Sequence, residues 1–404
     1  MNYGEVVRYL YSLGNEVKAA KLGLERMKVL LAALDDPHRH GKYVHVAGTN
    51  GKGSTCAMIE AGLRAAGIRT GLYTSPHLVE PTERIRIDGV EVAREEFAGA
   101  FERVHAAAER LIASGALEAH PTYFETVTAM AFLLFRDARV EMTVLEVGLG
   151  GRLDATNVVM PRLAVITPVD FDHEAFLGRS IESIAAEKAG ILKPGVPAVI
   201  APQRPEAAGA LRTADAVWAS DWPVEDLTLT ALGSRFRARH LEIECPLAGE
   251  HQVTNALTAA IVLDLLEMPI AGIRETRWPG RLEIVRRDPD IILDGAHNPS
   301  GARALARYIE RFYADKRVCL IYAAMRDKAV EEVAAILFPM AGTVIATAPA
   351  QSRAVRPEVI RQFGDNVVAA PRLADALKLI GDAEAVFVTG SLFLVGEARS
   401  LLVQ

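Results

Sequence analysis

Residues 43–66 read YVHVAGTNGKGSTCAMIEAGLRAA, and this stretch decides the fold. Tyr43 to Ala47 form a short β-prone run. Gly48-Thr49-Asn50-Gly51-Lys52-Gly53-Ser54-Thr55 follows, and Cys56 to Ala66 then has a helical pattern. Strand, glycine loop, lysine, hydroxyl and helix is the order in which proteins cradle phosphate. Backbone N–H groups at a helix N-terminus face the anion, and the lysine adds a point charge. The usual pattern is not matched in full. Val46 stands where its first glycine belongs, and Gly53 separates Lys52 from Ser54. A glycine turn with no ligand is the alternative reading, and the flanking strand and helix argue against it. Alone, the loop specifies a nucleotide and not a reaction.

Runs like 43–47 recur at 142–147, 163–167, 196–201, 291–293, 318–322, 343–346 and 385–388. Several are apolar at nearly every position, as strands buried on both faces should be. Helical patterns lie between them, for example at 300–313 and 329–337. Such alternation predicts an α/β chain. Its N-terminal part is a P-loop-type, mostly parallel sheet flanked by helices, and a smaller Rossmann-like α/β domain follows. Residues 204–248 break the rhythm, and RFRARHLEIE at 235–244 alternates as a small antiparallel insert does. After a helix over 254–266, Pro269, Gly272, Pro279 and Gly280 mark a linker. The expected domains are 1–278 and 279–404.

With 404 residues, half of them hydrophobic, the chain has material for two or three cores. A formal charge of −6 provides no basic field for nucleic acid. Cys56, Cys245 and Cys319 lie far apart, without zinc-knuckle or disulfide spacing, and read as buried free thiols of a reducing compartment. MNYGEVVRYL is no secretory signal, and no apolar run reaches the ~20 residues of a membrane helix. A cytoplasmic location without a membrane partner is expected.

Three further residues suggest a metal. Glu146 lies inside the apolar run VLEVG, where a buried carboxylate needs a partner and a cation is the natural one. In open α/β sheets ligands collect at the carboxyl ends of strands. His173, in DFDHE, follows a second strand and is placed to face the same site, although a histidine in an acidic loop is often ligand-free. Ile181, Ile184, Lys188 and Ile191 share one helix face, so a lysine stands at an apolar position. One reading is a stem that covers the core while its head reaches water. The other is a desolvated amine of lowered pKa that reacts with carbon dioxide, giving a carbamate whose oxygens suit Mg²⁺.

The motifs GTNGKGST (48–55), SPHL (75–78), TYFE (122–125), LEVGLGGRLDATN (145–157), DH (172–173), EKAGI (187–191), PGRLE (279–283), DGAHNP (294–299) and TGSLFLVGE (389–397) resemble those of the folylpolyglutamate/dihydrofolate synthases, within the wider Mur-ligase-like group. The resemblance runs from about Leu22 to Gly396. It implies ATP phosphates on Asn50, Gly51, Lys52, Gly53 and Ser54, with Asn255, Arg281 and Asp294 as further ATP contacts. It implies Mg²⁺ held by Ser54, Ser75, Glu146 and His173, with Lys188 carbamylated beside a second ion; K⁺ is a further candidate. His297 matches a histidine close to the phosphates, so Lys52, Lys188 and His297 form the implied catalytic set. Thr122, Tyr123, Phe124 and Glu125, with Leu153, Asp154 and Ala155, match the pterin-side positions. Residues 19–22 stand where bifunctional members contact dihydropteroate, and Lys21 replaces an acidic residue found in some of them.

The implied activity is ATP-dependent addition of L-glutamate to dihydropteroate, to a reduced folate, or to both, by a monomer. A Mur-type amide ligase acting on another carboxylate is the alternative, which the SPHL and GLGGRLDATN segments disfavour. A P-loop kinase or GTPase needs neither the second domain nor Lys188. A catalytically dead ATP-binding module is disfavoured by the presence of Lys52, Glu146, His173, Lys188 and Asp294.

Overall fold

A computed structural model describes residues 1–14, 23–213 and 215–403. The notable segment 19–22, with Lys21, lies outside them. The chain forms two compact units. The first comprises Met1–Val169, Ser180–Pro223 and Asn255–Ile273; the second comprises Asp170–Arg179, Val224–Thr254 and Arg274–Gln404.

The first unit is built on eight strands: β1 (Lys42–Ala47), β2 (Thr70–Tyr73), β3 (Ile85–Ile87), β4 (Val90–Glu91), β5 (Met142–Glu146), β6 (Leu163–Ile166), β7 (Ala198–Ile200) and β8 (Ala216–Trp218). Their order is β4-β3-β2-β5-β1-β6-β7-β8, parallel from β2 to β8, with β3 and β4 added antiparallel at one edge. The apolar runs at β1, β5 and β6 are central strands, which explains their lack of alternation. β1 lies between β5 and β6, so the loops after these three strands gather at one carboxyl edge. The helix Lys52–Ala65 is buried from Ser54 to Leu63. Its small residues permit this: a Cβ on Gly62 would stand 2.3 Å from Leu263 Cδ1 on the helix Glu250–Leu265.

The second unit holds two sheets. β9 (Glu225–Leu229), β10 (Ser234–Ala238) and β11 (Leu241–Cys245) form the expected antiparallel insert. β10 and β11 are buried at every other residue, the pattern of a sheet with one solvated face. The other sheet has the order β12-β13-β17-β14-β15-β16, formed by Glu283–Arg286, Asp290–Leu293, Ala385–Thr389, Val318–Tyr322, Thr343–Ala346 and Val367–Ala369. It is parallel except for β12, and helices such as Pro299–Phe312 cover it. The α/β reading of both halves is borne out. β2, β3, β4, β8, β9, β12 and β16 are not among the strands read from the sequence; each has five residues or fewer, too short to show a period. Among the described residues, no helix is long and apolar enough to cross a membrane, and all three cysteines are free and buried.

Candidate active site

In the first unit the site starts from the turn between β1 and helix Lys52–Ala65. Gly51 caps that helix at φ 83°, where an L side chain is strained. The buried side chain of Asn255 fills the space beside it: a Cβ on Gly51 would lie 2.2 Å from Asn255 Oδ1. Thr49 N and Asn50 N donate to the carbonyl of Pro168 and pin the loop to the end of β6. The first turn of the helix then presents N–H groups that lack intrahelical acceptors. Lys52 folds back so that Nζ donates to the carbonyls of Gly48 and Thr49, both at 3.2 Å. Ser54 is buried in the first helical turn.

Two more of the expected residues meet this loop or its strand neighbour. Lys188, 3% exposed near the end of helix Ile181–Ala189, donates from Nζ to Gly48 O at 2.9 Å. Its head therefore does not reach to water; it closes the base of the glycine loop. Glu146, at the carboxyl end of β5 beside β1, is 4% exposed, and its Oε2 accepts from Ser75 N at 3.1 Å. The Cys56 thiol registers the local field. Burial pushes its pKa well up, Glu146 pushes the same way, and Lys52 opposes them.

The TYFE (122–125) and GLGGRLDATN (148–157) segments also adjoin. Thr122 caps helix Tyr123–Asp137 and trades hydrogen bonds with Glu125, whose Oε2 also accepts from Arg26 at 3.0 Å. Phe124 packs on Gly148, where a Cβ would stand 2.5 Å from its ring. Asp154 is buried, and its oxygens accept from Leu149 N, Thr156 N and Thr156 Oγ1, which shapes the GLGGRLDATN turn that also carries Leu153 and Ala155. Burial raises its pKa while these bonds oppose the rise. The turn is fastened to the Lys188 helix by Arg152 N donating to Glu187 O at 2.8 Å.

Sequence reasoning gave no role to Tyr11, His77, Arg84 or Arg26. Arg84 Nε donates to His77 Nδ1 at 2.8 Å, so the ring proton sits on Nε2, which is 3.1 Å from Tyr11 Oη. Burial, then Arg84, push the His77 pKa down to about 3. Tyr11 stacks on Tyr123 at 5.8 Å, and the Arg84 guanidinium lies over the Tyr123 ring, 5.0 Å from its centroid. Only the SPHL motif hinted at this cluster.

The second unit gathers His173, Arg281, Asp294 and His297. Asp294 is buried and accepts from Leu282 N and Ala296 N, each at 3.0 Å. Burial raises its pKa, and Arg281 is the main opposing influence. Arg281 donates to Gly280 O at 3.0 Å and lies where a side chain on Gly295 would stand. His297 donates from Nδ1 to Gly295 O at 2.8 Å, leaving Nε2 3.7 Å from Asp172 Oδ2. Asp172 sits among His173, His297, Asn298 and Lys328, whose Nζ is 2.6 Å from Oδ1. Burial alone raises its pKa, but His297 and Lys328 bring it well below the usual carboxylate range. Lys328 had no signal in the sequence, since nothing periodic surrounds it.

Residues 46–263 match the model of the Mur ligase middle domain, and residues 280–392 match the Mur ligase, glutamate ligase domain. The folylpolyglutamate synthase of Lacticaseibacillus casei is 34% identical, over 100% of this chain and 99% of that one. The chain belongs to the folylpolyglutamate/dihydrofolate synthase family of Mur ligases. A probable bifunctional folylpolyglutamate synthase/dihydropteroate synthase of Halobacterium salinarum is 38% identical over 99% of this chain, which spans 52% of that relative's length. The Mycobacterium tuberculosis folylpolyglutamate synthase, solved in complex with ADP and AMPPCP, superposes with a TM-score of 0.91 at 33% identity, covering 100% of this chain and 98% of that one.

Proposed function

We propose that this chain is an ATP- and Mg²⁺-dependent ligase that joins L-glutamate to dihydropteroate, to a reduced folate, or to both, by way of an acyl phosphate. The observation that carries the proposal is the convergence, on one turn, of a lysine-bearing phosphate loop, the buried carboxylate Glu146 next to its strand, and the buried amine Lys188 on Gly48 O.

A carboxylate does not condense with an amine unaided, because its oxygen is a poor leaving group. Transfer of the γ-phosphoryl group of ATP to the carboxylate oxygen yields ADP and an acyl phosphate. The glutamate nitrogen then attacks the acyl carbon, loses a proton, and expels phosphate. Phosphoryl transfer is mostly positioning and charge neutralisation. The first-turn amides of helix Lys52–Ala65 and the Lys52 ammonium supply both. Asn255, packed against Gly51, defines one wall of the nucleotide cradle.

The donor set fits a hard divalent ion. Glu146 is a buried carboxylate oriented by Ser75 N, and Ser54 and Ser75 add hydroxyl oxygens. Bound there, Mg²⁺ supplies charge neutralisation for the transferring group. A carbamate on Lys188 retains one N–H, so the bond to Gly48 O survives the modification. In the second unit we assign His173 to a divalent ion, and Arg281, Asp294 and His297 to the anionic reactants. The monomeric state and the cytoplasmic location belong to the same proposal, in keeping with three free buried thiols.

The test is ADP formation with glutamate plus dihydropteroate, tetrahydrofolate or a UDP-muramoyl acceptor, with products weighed by mass spectrometry. A glutamyl adduct of either pterin is expected. Turnover only with the UDP-muramoyl acceptor, or ATP binding without turnover, defeats the proposal.

A further inference from the structure

Among the described residues, one group of three metal-capable side chains brings its donor atoms within 4.8 Å of one another: His105, Glu109 and His120. All three belong to the first unit, and the ligase reading uses none of them. His105 and Glu109 are one turn apart on the same face of helix Arg94–Ala113. His120 lies in the loop that leads to helix Tyr123–Asp137. His105 Nδ1 and His120 Nε2 are 3.3 Å apart, His120 Nε2 and Glu109 Oε1 3.6 Å, and His105 Nδ1 and Glu109 Oε1 4.0 Å. Donors about 2.0–2.1 Å from a tetrahedral ion must stand about 3.3–3.4 Å from each other. The nitrogen pair already has that spacing. The adjustment left falls on Glu109, whose side chain is 56% exposed and free to swing.

The protonation pattern agrees. His120 Nδ1 is 3.2 Å from the carbonyl of Pro121, which can only accept, so Nδ1 is the donor atom of this ring and Nε2 is the atom turned to His105 and Glu109. A hydrogen bond between the two imidazoles accounts for the 3.3 Å contact but not for Glu109. Glu109 Oε1 lies 3.6 Å from His120 Nε2, beyond direct hydrogen-bond range and close enough for both atoms to bind one ion. The rings are also held in place. His105 stacks on Phe101 with an interplanar angle of 10°, and Tyr9 packs edge-on against it at 4.8 Å while its Oη lies 3.3 Å from His120 Nε2.

The geometry points to a divalent transition-metal site formed by His105, Glu109 and His120, with the remaining position left to water. Two imidazoles and one carboxylate select Zn²⁺ or Co²⁺ over Mg²⁺, which prefers six oxygens. The ion ties helix Arg94–Ala113 to the turn opening helix Tyr123–Asp137, since His120 stands two residues before the capping Thr122. The role is structural, remote from the phosphate loop in sequence and independent of which acceptor the ligase uses.

The test is titration of the chelator-treated full-length chain with Co²⁺, read by visible absorption and followed by Zn²⁺ competition. One equivalent of Co²⁺ should give the intense bands of a tetrahedral complex, which Zn²⁺ abolishes. Glu109→Gln, an exposed change that leaves the fold intact, should weaken binding at least about tenfold, the loss that follows even from removing an outer partner of a metal-bound histidine. His105→Ala and His120→Ala, checked for folding by circular dichroism, should abolish the bands. Glu146→Gln should leave them unchanged, which separates this site from the Mg²⁺ site. Absence of tetrahedral bands in the folded wild-type chain, bands that survive Glu109→Gln and His105→Ala at unchanged affinity, or bands lost in Glu146→Gln each overturn the proposal.

Discussion

Replacing Gly51 by alanine tests the phosphate cradle at one atom. The residue sits at φ 83°, where an alanine costs about 1–2 kcal/mol relative to its favoured backbone. The added Cβ would also stand 2.2 Å from Asn255 Oδ1, inside any permitted contact. Asn255 is buried, and displacing a buried amide from its partners costs about 1–3 kcal/mol more. The loop escapes both terms by shifting, so ATP must restore it on binding. Together these terms reach about 2–5 kcal/mol, which weakens ATP by about thirtyfold at the lower end. The assay is calorimetric titration of Mg²⁺-AMPPNP into Gly51→Ala and wild-type chains. Gly67→Ala is the internal control. Gly67 has φ 79° past the end of the same helix, with open space around its Cβ, so it carries the backbone term without the clash. That variant should lose about 1 kcal/mol of stability and bind nucleotide normally. Gly51→Ala binding nucleotide within about threefold of wild type, with its stability lowered only as in the control, refutes the reasoning.

Three further predictions concern charge. Lys52→Ala should slow turnover by about 10²–10³, the loss typical of a key electrostatic stabiliser, with an unchanged circular dichroism spectrum; a smaller change in kcat than in KM would assign Lys52 to binding alone. Lys188→Ala should lose most ligase activity while remaining folded, and intact-mass spectra of the wild type in bicarbonate should show a labile carbamate; unchanged turnover in the variant removes that role. His45 is fully buried, with Nε2 2.9 Å from Thr156 Oγ1, and burial followed by Lys193 pushes its pKa down to about 3. The unfolded chain takes up this proton near pH 6.5 and the folded chain does not, so stability is complete above that pH and falls below it. Between pH 7 and 5 the wild type should lose about 2 kcal/mol more, by urea unfolding, than His45→Gln does; equal losses would show that His45 accepts the proton in the folded state.

The sequence by itself determined the alternating α/β character, the glycine loop between β1 and its helix, and the antiparallel insert. Each depends on local features: an apolar run, a glycine beside a lysine, a period of two. Lys188 stood out for the same reason, as a lysine at an apolar step of one helix face; that its amine meets Gly48 O was decided by the tertiary structure. Tertiary structure alone decided the strand order β4-β3-β2-β5-β1-β6-β7-β8 and the packing of Asp170–Arg179 and Val224–Thr254 with the second unit. It also set Lys328 on Asp172, Arg26 on Glu125, and His120 beside His105. These pairings join side chains that are distant in the chain or lie in loops without period. No local pattern encodes which of many polar residues a folded backbone will bring within 4 Å of another.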